Sequence, residues 1–352
     1  MKYHYVLLLL FFQLHNYVCG SKPQSYNHLI QEGEKHFKNL RQLTFSGENA
    51  EAYFSSDGKK LILQAHEGDS LCDQIYIMNI ASGSTEMVST GNGVTTCSFF
   101  QYPNNDAIIY ASTHLADSDC PPKPDFSMGY IWKLYEGYDI FKASMDGSNL
   151  QRLTDTPGYD AEATFSFDGR KIIYTSLESG DLDLWSMNFD GSEKQQLTSR
   201  LGYDGGAFYS YDGSKIVWRA YYPESKKEIA DYKALLSANA IRPMALQLRT
   251  MNSDGTSKQQ ITDNDAANFG PFFFPDGKRI IFSSNMHDEK GRDFDLYAIN
   301  TNGTELERIT YFDGFDGFPM FSLDGKYLVF ASNRNQAKRG DTNIFICEWV
   351  NK

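Results

Sequence analysis

Acidic residues recur at two positions that are set by a repeated aromatic motif. Five residues before each of six recurring Phe or Tyr residues stand Asn49, Thr95, Asp160, Asp204, Asn268 and Asp316. Two residues further along each copy stand Glu51, Cys97, Glu162, Gly206, Gly270 and Phe318. Three Asp and two Glu residues therefore occupy equivalent places in a repeating chain. If the repeats surround a central channel, these five carboxylates are expected at one mouth of it.

Carboxylates gathered at equivalent positions need compensation, because two of them about 10 Å apart repel by roughly 1.7 kcal/mol at an effective dielectric constant near 20. A bound Ca²⁺ or other divalent metal, held by Asp160, Glu162 and Asp204, would relieve this repulsion, and so would a cationic group of a ligand. Arg219 and Arg242 could supply the positive charge instead. The alternative is that each Asp caps its own loop by accepting hydrogen bonds from backbone N–H groups. The two interpretations are compatible.

Cys97, His114 and Cys120 form a second group of residues with chemical potential. The first two strands of a unit are neighbours, so Cys97 and the start of the insertion that contains Cys120 are expected on the same face. An exported protein favours oxidation, so we expect a disulfide between Cys97 and Cys120. Two alternatives stay open. A Zn²⁺ ion could be bound by Cys97, His114, Cys120 and Glu162, although no close-spaced ligand pair anchors that set. Otherwise the thiols form neither a disulfide nor a metal site. His114 alone could act as a general base, but the sequence shows no partner for it.

Three short signals recur in a fixed order and define the elements that carry these residues. The first is a strand end of the Leu-Thr type: Leu43-Thr44, Val88-Ser89, Leu153-Thr154, Leu197-Thr198, Ile261-Thr262 and Ile309-Thr310. The second is an aromatic strand that ends in an Asp-Gly turn, as at Asp168-Gly169, and the third is another Gly turn, as at Asp190-Gly191. Asp-Gly pairs favour hairpins because the turn needs positive φ values. Each unit is therefore predicted to be a four-stranded antiparallel meander.

The Leu-Thr ends fall 44 to 65 residues apart. Six such units predict an all-β fold, a six-bladed β-propeller with four-stranded antiparallel blades, over residues 37–352. The sixth unit ends near Trp349 without a fourth strand, whereas Phe37–Thr44 is a fourth strand without a unit. We expect this N-terminal strand to complete the last blade, because closure removes both exposed sheet edges.

Two insertions, at 113–136 and 221–244, fall on the face of the predicted propeller where the innermost strands begin. The second insertion contains a predicted amphipathic helix over 225–236. Long loops on one face of a rigid scaffold commonly carry binding sites, although these loops could instead only plug the channel. The candidate ligand-binding residues are Glu51, His114, Tyr130, Trp132, Asp160, Glu162, Asp204, Arg219, Arg242 and Asp316.

The motif Phe-Ser-x-Asp-Gly, followed by a β run and then Asp-Leu-(Trp/Tyr)-x-(Met/Ile)-Asn, resembles the WD-like propeller repeats of the TolB family. The resemblance covers about residues 37 to 350 and lacks the α/β domain that precedes the propeller in TolB. Similar repeats occur beside peptidases and in oligogalacturonate lyases, so the resemblance is specific for fold and weak for activity.

The sequence contains no Gly-x-Ser-x-Gly, no His-Glu-x-x-His and no Walker loop. We therefore favour a non-catalytic propeller that binds a protein, peptide or carbohydrate ligand through the inserted face. The resemblance leaves two alternatives: a metal-assisted polysaccharide lyase or other hydrolytic enzyme on the same face, and a TolB-like structural component of the cell envelope. Lyases of this type are expected to hold a metal through several His, and one His at the channel is too few.

Residues 1–20 have the features of a secretory signal. The apolar run Val6–Leu14 is too short to span a bilayer, which needs about 20 residues, and fits the core of a signal peptide. Cleavage after Gly20 would leave a linker over 21–36. Alternatively, Cys19 is the lipidated N-terminus of a lipoprotein. No other run is long and apolar enough to be expected to cross a membrane.

Composition limits the partners. The 352 residues carry a net charge of −12, which repels phosphate backbones and argues against nucleic-acid binding. A hydrophobic content of 41% supplies a large core and argues against disorder. We expect an exported monomer, periplasmic or extracellular, that is envelope-associated or membrane-anchored if Cys19 carries a lipid.

Overall fold

Six antiparallel four-stranded sheets form the blades of a propeller in a computed structural model of the chain. The structure describes residues 25–66, 72–122, 127 and 129–351. The predicted signal segment and Cys19 lie outside these residues. The all-β, six-bladed fold predicted from the repeats is confirmed.

The strands follow one another from the channel to the rim in every blade. Strand β1 spans Phe37–Gln42, and blade one contains β2 (Glu48–Phe54), β3 (Lys60–His66), β4 (Gln74–Asn79) and β5 (Thr85–Met87). Blade two contains β6 (Thr95–Phe100), β7 (Ala107–Ser112), β9 (Asp139–Ser144) and β10 (Gln151–Arg152), with β8 (Trp132–Lys133) in its insertion. Blade three contains β11 (Asp160–Phe165), β12 (Lys171–Ser176), β13 (Asp183–Asn188) and β14 (Gln195–Gln196).

The second half of the ring repeats this order. Blade four contains β15 (Tyr203–Tyr209), β16 (Lys215–Tyr221), β18 (Gln247–Asn252) and β19 (Gln259–Gln260), with helix α1 (Lys226–Ser237) and β17 (Ala240–Ile241) in its insertion. Blade five contains β20 (Asn268–Phe273), β21 (Arg279–Ser284), β22 (Asp295–Asn300) and β23 (Glu307–Arg308). Blade six contains β24 (Asp316–Phe321), β25 (Tyr327–Ser332) and β26 (Asn343–Trp349).

The N-terminal strand closes the ring. Strand β1 pairs with β26 in antiparallel register, with Phe37 opposite Trp349 and Arg41 opposite Ile346. Blade six therefore takes its outer strand from the opposite end of the chain, as the unmatched fourth strand in the sequence predicts. The pairing removes the two free edges that an open ring would expose.

The recurring Leu-Thr signal has a structural reason. Most outer strands pair over only two residues, and the hydroxyl that follows the pairing accepts a hydrogen bond from a backbone N–H of the third strand. The six hydroxyls belong to Thr44, Ser89, Thr154, Thr198, Thr262 and Thr310, with N–O distances between 2.8 and 2.9 Å. A Thr or Ser is thus needed at this place in every blade because it extends a short outer strand.

The described part of the segment before β1, from residue 25, packs against blades five and six. The Glu34 carboxylate accepts two hydrogen bonds from the Arg334 guanidinium, at 3.0 and 3.1 Å, and Asp316 accepts a third at 2.7 Å. All three side chains are buried. The Asn27 side chain also accepts a bond from the Leu40 N–H at 2.9 Å. These contacts fix the entry of the closing strand.

The two insertions are joined to each other. Ser225 and Glu228 form a capping box at the start of α1, which supports the helix expected there. Strand β17 then pairs with β8, so that Ile241 lies opposite Trp132 and Ala240 opposite Lys133. We call β8, α1 and β17 the cap. Within the described residues, no helix has the length and apolar character needed to cross a membrane.

A disulfide joins Cys72 to Cys120, with Cα atoms 5.5 Å apart, so the predicted bond between Cys97 and Cys120 is wrong. The observed bond ties the loop between β3 and β4 to the blade-two insertion. Cys97 is a free thiol because its side chain turns toward the propeller axis and away from the insertion. Cys347 is a buried free thiol.

Arg334→Met tests the anchor of the N-terminal segment. The substitution leaves the carboxylates of Glu34 and Asp316 buried without their cation, which should lower the free energy of unfolding by about 3–5 kcal/mol. Denaturant unfolding measures the change, and Arg339→Met, at an exposed position of the same loop, is the control. A loss below about 1 kcal/mol, within the range of exposed ion pairs, would show that the triad does not hold the segment.

Candidate functional site

One residue in the innermost strand of every blade adopts a left-handed backbone conformation. In blade one, Ala50 pairs with Gln64 and Tyr53 with Ile62, so that two residues stand opposite one and form a β-bulge. The other five innermost strands show the same shift of register. The first bulge residues, with φ between 52° and 58°, are Glu51, Cys97, Glu162, Gly206, Gly270 and Phe318. We call these six residues the bulge ring.

The bulge ring lines a single cavity of about 20 Å³ on the propeller axis. The extra residue of a bulge leaves the ladder, and here it faces the channel and not the neighbouring blades. Four of the six residues are not glycine, and a left-handed conformation costs such residues roughly 1–2 kcal/mol each. Strained backbone of this kind clusters at functional sites. The bulge ring is therefore the candidate site.

An aromatic layer closes the channel on the side of the Asp-Gly turns. Two residues after the bulge in their strands stand Tyr53, Phe99, Phe208 and Phe272, which we call the plug. The Tyr53 ring lies 5.5 Å from that of Phe99 and 5.4 Å from that of Phe208, and the Phe208 and Phe272 rings are 5.1 Å apart. Since blades one and four are opposite each other, these rings meet across the axis. The cavity is thus the floor of a closed depression, the well, on the inserted side.

Glu162 and Arg219 form a buried ion pair in the well, 2.5 Å apart. The same carboxylate accepts hydrogen bonds from the Tyr203 hydroxyl at 3.0 Å, the Thr175 hydroxyl at 2.9 Å and the Gly206 N–H at 2.8 Å. Glu162 is therefore fully partnered. Burial lowers the pKa of Arg219, but the neighbouring acidic groups outweigh it and leave this pKa above its usual value.

Two consecutive glycines make room for this pair. A Cβ atom at Gly205 would lie 2.2 Å from the Glu162 carboxylate and 2.3 Å from the Tyr203 hydroxyl, and one at Gly206 would lie 2.7 Å from the Arg219 guanidinium. Gly205-Gly206 within a strand is a sequence signal for close approach that could have located the pair.

Glu51 and Cys97 lie together on the other side of the well. The Cys97 thiol donates to the Glu51 carboxylate across 3.7 Å. Burial raises the pKa of Glu51 to about 7, with smaller upward contributions from Glu162 and Asp73, while Arg219 and the thiol act in the opposite direction. Burial and the charges of Glu51 and Glu162 raise the pKa of Cys97 well above its usual value. The thiol is thus kept protonated, and Glu51 titrates near neutral pH.

A polar network connects Glu51 and Cys97 to the rim of the well. The Gln64 side-chain oxygen accepts hydrogen bonds from the Cys97 N–H and the Thr96 hydroxyl, both at 3.0 Å. The Gln64 amide donates to Asp73 at 3.1 Å, and Asp73 lies 2.5 Å from the partly exposed His66 ring. Asp73 follows the disulfide-bonded Cys72, so the disulfide helps to fix this network.

The structure does not bring Asp160, Asp204 and Asp316 together at the channel mouth, where the sequence predicted them. They are buried inside their own blades. Asp204 accepts hydrogen bonds from Trp218 and Tyr222, both at 2.6 Å. Burial raises the pKa of Asp160 to about 6 and that of Asp204 to about 7. Their partners are side chains: Trp218 and Tyr222 for Asp204, Ser176 and Thr154 for Asp160, and Arg334 for Asp316. The expected local caps, in which each Asp accepts hydrogen bonds from backbone N–H groups of its own loop, are therefore not what these carboxylates form.

The remaining candidates are dispersed. Trp132 of the cap stacks over the Arg219 guanidinium at 4.9 Å and so connects the insertions to the well. Tyr130 is exposed beside it, and its hydroxyl accepts a bond from the Trp132 ring N–H at 3.2 Å. Arg242 faces Asp231 on the cap at 3.6 Å. His114 packs against Phe141 outside the well, and burial lowers its pKa.

Among the described residues, no three His, Cys, Asp or Glu side chains are placed to hold one metal ion. The metal site predicted at Asp160, Glu162 and Asp204 is not formed, because the two Asp side chains are turned into their blades and Glu162 is held by Arg219. The alternative set with Cys97, His114 and Cys120 is likewise separated, since Cys120 is disulfide-bonded.

Fold and site together define a six-bladed propeller with a closed, charged well under an inserted cap. No protein-family model matches the sequence, and no curated protein matches it. The structure of a putative TolB from Agrobacterium tumefaciens superimposes with a TM-score of 0.58 at 19% identity, over 87% of this chain and 91% of that chain.

Two enzymes share the architecture at lower identity. A gluconolactonase from Xanthomonas campestris has a TM-score of 0.58 at 10% identity, over 94% of this chain and 96% of that chain. An oligogalacturonate lyase from Vibrio parahaemolyticus has a TM-score of 0.50 at 14% identity, over 91% and 95% of the two chains. The chain therefore has a TolB-like six-bladed β-propeller fold, which proteins of different activities share.

Glu51→Gln tests the environment of the well. The pKa of Glu51 in the folded protein, about 7, lies above its ordinary value of 4.5, so the folded state loses stability as the pH rises through this interval. A neutral Gln avoids the loss. We expect the variant to be more stable than the unsubstituted protein by about 2–3 kcal/mol at pH 8 and nearly equal at pH 4.

Denaturant unfolding at the two pH values measures this difference. The control is Glu86→Gln, at an exposed position of the same blade, which should show no pH-dependent gain. Equal stability of Glu51→Gln and the unsubstituted protein at pH 8 would contradict the raised pKa.

Proposed function

We propose that the protein is an exported binding propeller that recognises a protein or peptide through the cap and the well. The observation that carries this proposal is the cap itself. Two insertions from non-adjacent blades are joined in one sheet and stack Trp132 over a charged residue of the well. The same insertions expose Leu115, Tyr130 and Met244 at 59%, 63% and 59%. Exposed aromatic and apolar side chains beside a rigid depression are typical of recognition surfaces.

The state of the polar groups supports binding over catalysis. The Cys97 thiol is held protonated by burial and by nearby carboxylates, whereas a nucleophilic cysteine needs the thiolate. Glu162 pairs with Arg219 and accepts further hydrogen bonds, so its carboxylate is occupied by structural contacts. These groups are fixed in place and suited to hold a ligand group.

Export is supported by two independent features. The N-terminal sequence has a signal-like apolar run, and the Cys72–Cys120 disulfide is typical of oxidising compartments. The exported protein is either released by cleavage after Gly20 or attached to the membrane through a lipid on Cys19, and both forms are part of this proposal. Similarity of fold to TolB makes a protein partner in the envelope the first class to test.

The test is a binding screen with envelope proteins, peptides and glycans. The variant Leu115→Ser/Tyr130→Ser/Met244→Ser removes the exposed apolar groups of the insertions. The control Met87→Ser/Leu306→Ser/Leu323→Ser removes exposed apolar groups outside the insertions. We expect at least a tenfold loss of affinity for a protein or peptide in the first variant only, since such side chains each contribute about 1 kcal/mol or more at an interface.

Two outcomes would contradict the proposal. Equal loss in both variants would mean that binding does not depend on the exposed apolar side chains of the insertions. A ligand found only among the glycans, with turnover, would favour the polysaccharide-processing alternative.

A further inference from the structure

Glu51 is the one charged residue of the bulge ring that has no oppositely charged side chain paired with it in the described part of the structure. Among the described residues it forms no ion pair, and its carboxylate accepts only the long hydrogen bond from Cys97. Glu162, in the same ring, pairs directly with Arg219. Glu51 is only partly exposed, and a carboxylate that is largely removed from water without a cation is unfavourable. Glu51 also occupies a left-handed backbone position, with φ 52°.

Ser98 gives a second, independent indication of a missing group. Its side chain lines the same cavity as Glu51 and is only 1% exposed. Its hydroxyl oxygen has no hydrogen-bond partner in the described part of the structure. Buried hydroxyls without partners are rare in native proteins and often indicate a bound group. The cavity is thus lined by a carboxylate with one long hydrogen bond and by a residue whose hydroxyl has no partner.

The size of the cavity selects the group that fits. A volume of about 20 Å³ accommodates one water-sized group. An ammonium is compact and carries three donors, whereas a guanidinium is planar, larger and suited to two-point contacts. The plug closes the floor behind Tyr53 and Phe208, so only the tip of a ligand can enter.

We propose that the well binds a primary ammonium group, contributed by a lysine side chain or a chain terminus of the partner, which pairs with Glu51 and donates to Ser98. This inference rests on the proposed binding function and names the ligand group that the well accepts. The ammonium replaces the missing cation of Glu51 and gives the Ser98 hydroxyl its partner.

The charges around Glu51 are compatible with a second cation. The groups that act on it are Arg219, Cys97, Glu162 and Asp73. Arg219 is already neutralised by Glu162 at 2.5 Å, and Cys97 stays protonated. Asp73 contacts the His66 ring at 2.5 Å. Ionised Glu51 is therefore left with a negative charge in the well that attracts a cation.

The experiment uses four small probes and the full chain. They are Nα-acetyl-lysine amide, its ε-acetylated form, Nα-acetyl-arginine amide and triglycine amide, titrated at up to about 50 mM because single contacts support only millimolar affinity. Binding is followed by NMR shift changes at the well. Comparison of the lysine and triglycine probes distinguishes a side chain from a chain terminus as the source of the ammonium.

We expect the lysine or triglycine probe to bind at least tenfold more tightly than the ε-acetylated and arginine probes. Glu51→Gln should remove this preference, and Glu86→Gln should keep it. Since the ammonium pairs with ionised Glu51, whose pKa is about 7, affinity should fall about 20-fold from pH 7.5 to pH 5.5.

Equal binding of the neutral or arginine probe, unchanged binding in Glu51→Gln, or no ammonium binding at all would overturn the inference. Partner binding that persists without ammonium binding would refute this inference alone. Ammonium binding without any protein or peptide partner would refute the proposed function alone.

Discussion

The six β-bulges around the axis are the constraint on which the site depends. Each one adds a residue to the innermost strand and turns its side chain from the blade interface to the channel. Without the bulge ring, the side chains of Glu51, Cys97 and Glu162 would be expected to alternate between the faces of their blades. The left-handed conformation is kept even where the bulge residue is not glycine, at a cost in backbone energy. The fold therefore imposes this conformation whatever residue stands at the position.

Closure of the ring of blades and closure of the channel then determine from which side the bulge ring can be reached. Pairing of β1 with β26 completes the ring of blades, and the plug fills the axis behind the bulges. The channel is therefore a depression with a closed floor and not a tunnel. The cap lies on the open side and reaches the well through Trp132 and Arg219. This arrangement supports the proposed recognition of the tip of a ligand.

The sequence predicts the fold better than the site, for physical reasons. Asp-Gly turns and the Leu-Thr hydroxyls each stabilise a short stretch of chain, so they recur in the sequence once per blade. The number of blades and the closure of the ring could therefore be predicted from the sequence. The bulges could not, because Glu51, Cys97 and Phe318 have no intrinsic preference for positive φ. Alignment of the repeats did place Glu51 and Glu162 at equivalent positions. It also placed Asp160 at the channel, whereas the side chain of Asp160 is buried inside its own blade. The partner of Cys120 depended on how two loops meet in space.

The pKa of Glu51 measures most directly whether the well holds a partly buried carboxylate without a cation. Carbon-13 NMR titration of the side-chain carboxyl in the ligand-free protein reports it, with the signal assigned by comparison with Glu51→Gln. The structure predicts a midpoint at about pH 7. A midpoint at the ordinary value for Glu, about 4.3, would mean that Glu51 is solvated or already paired, and would contradict the account of the well.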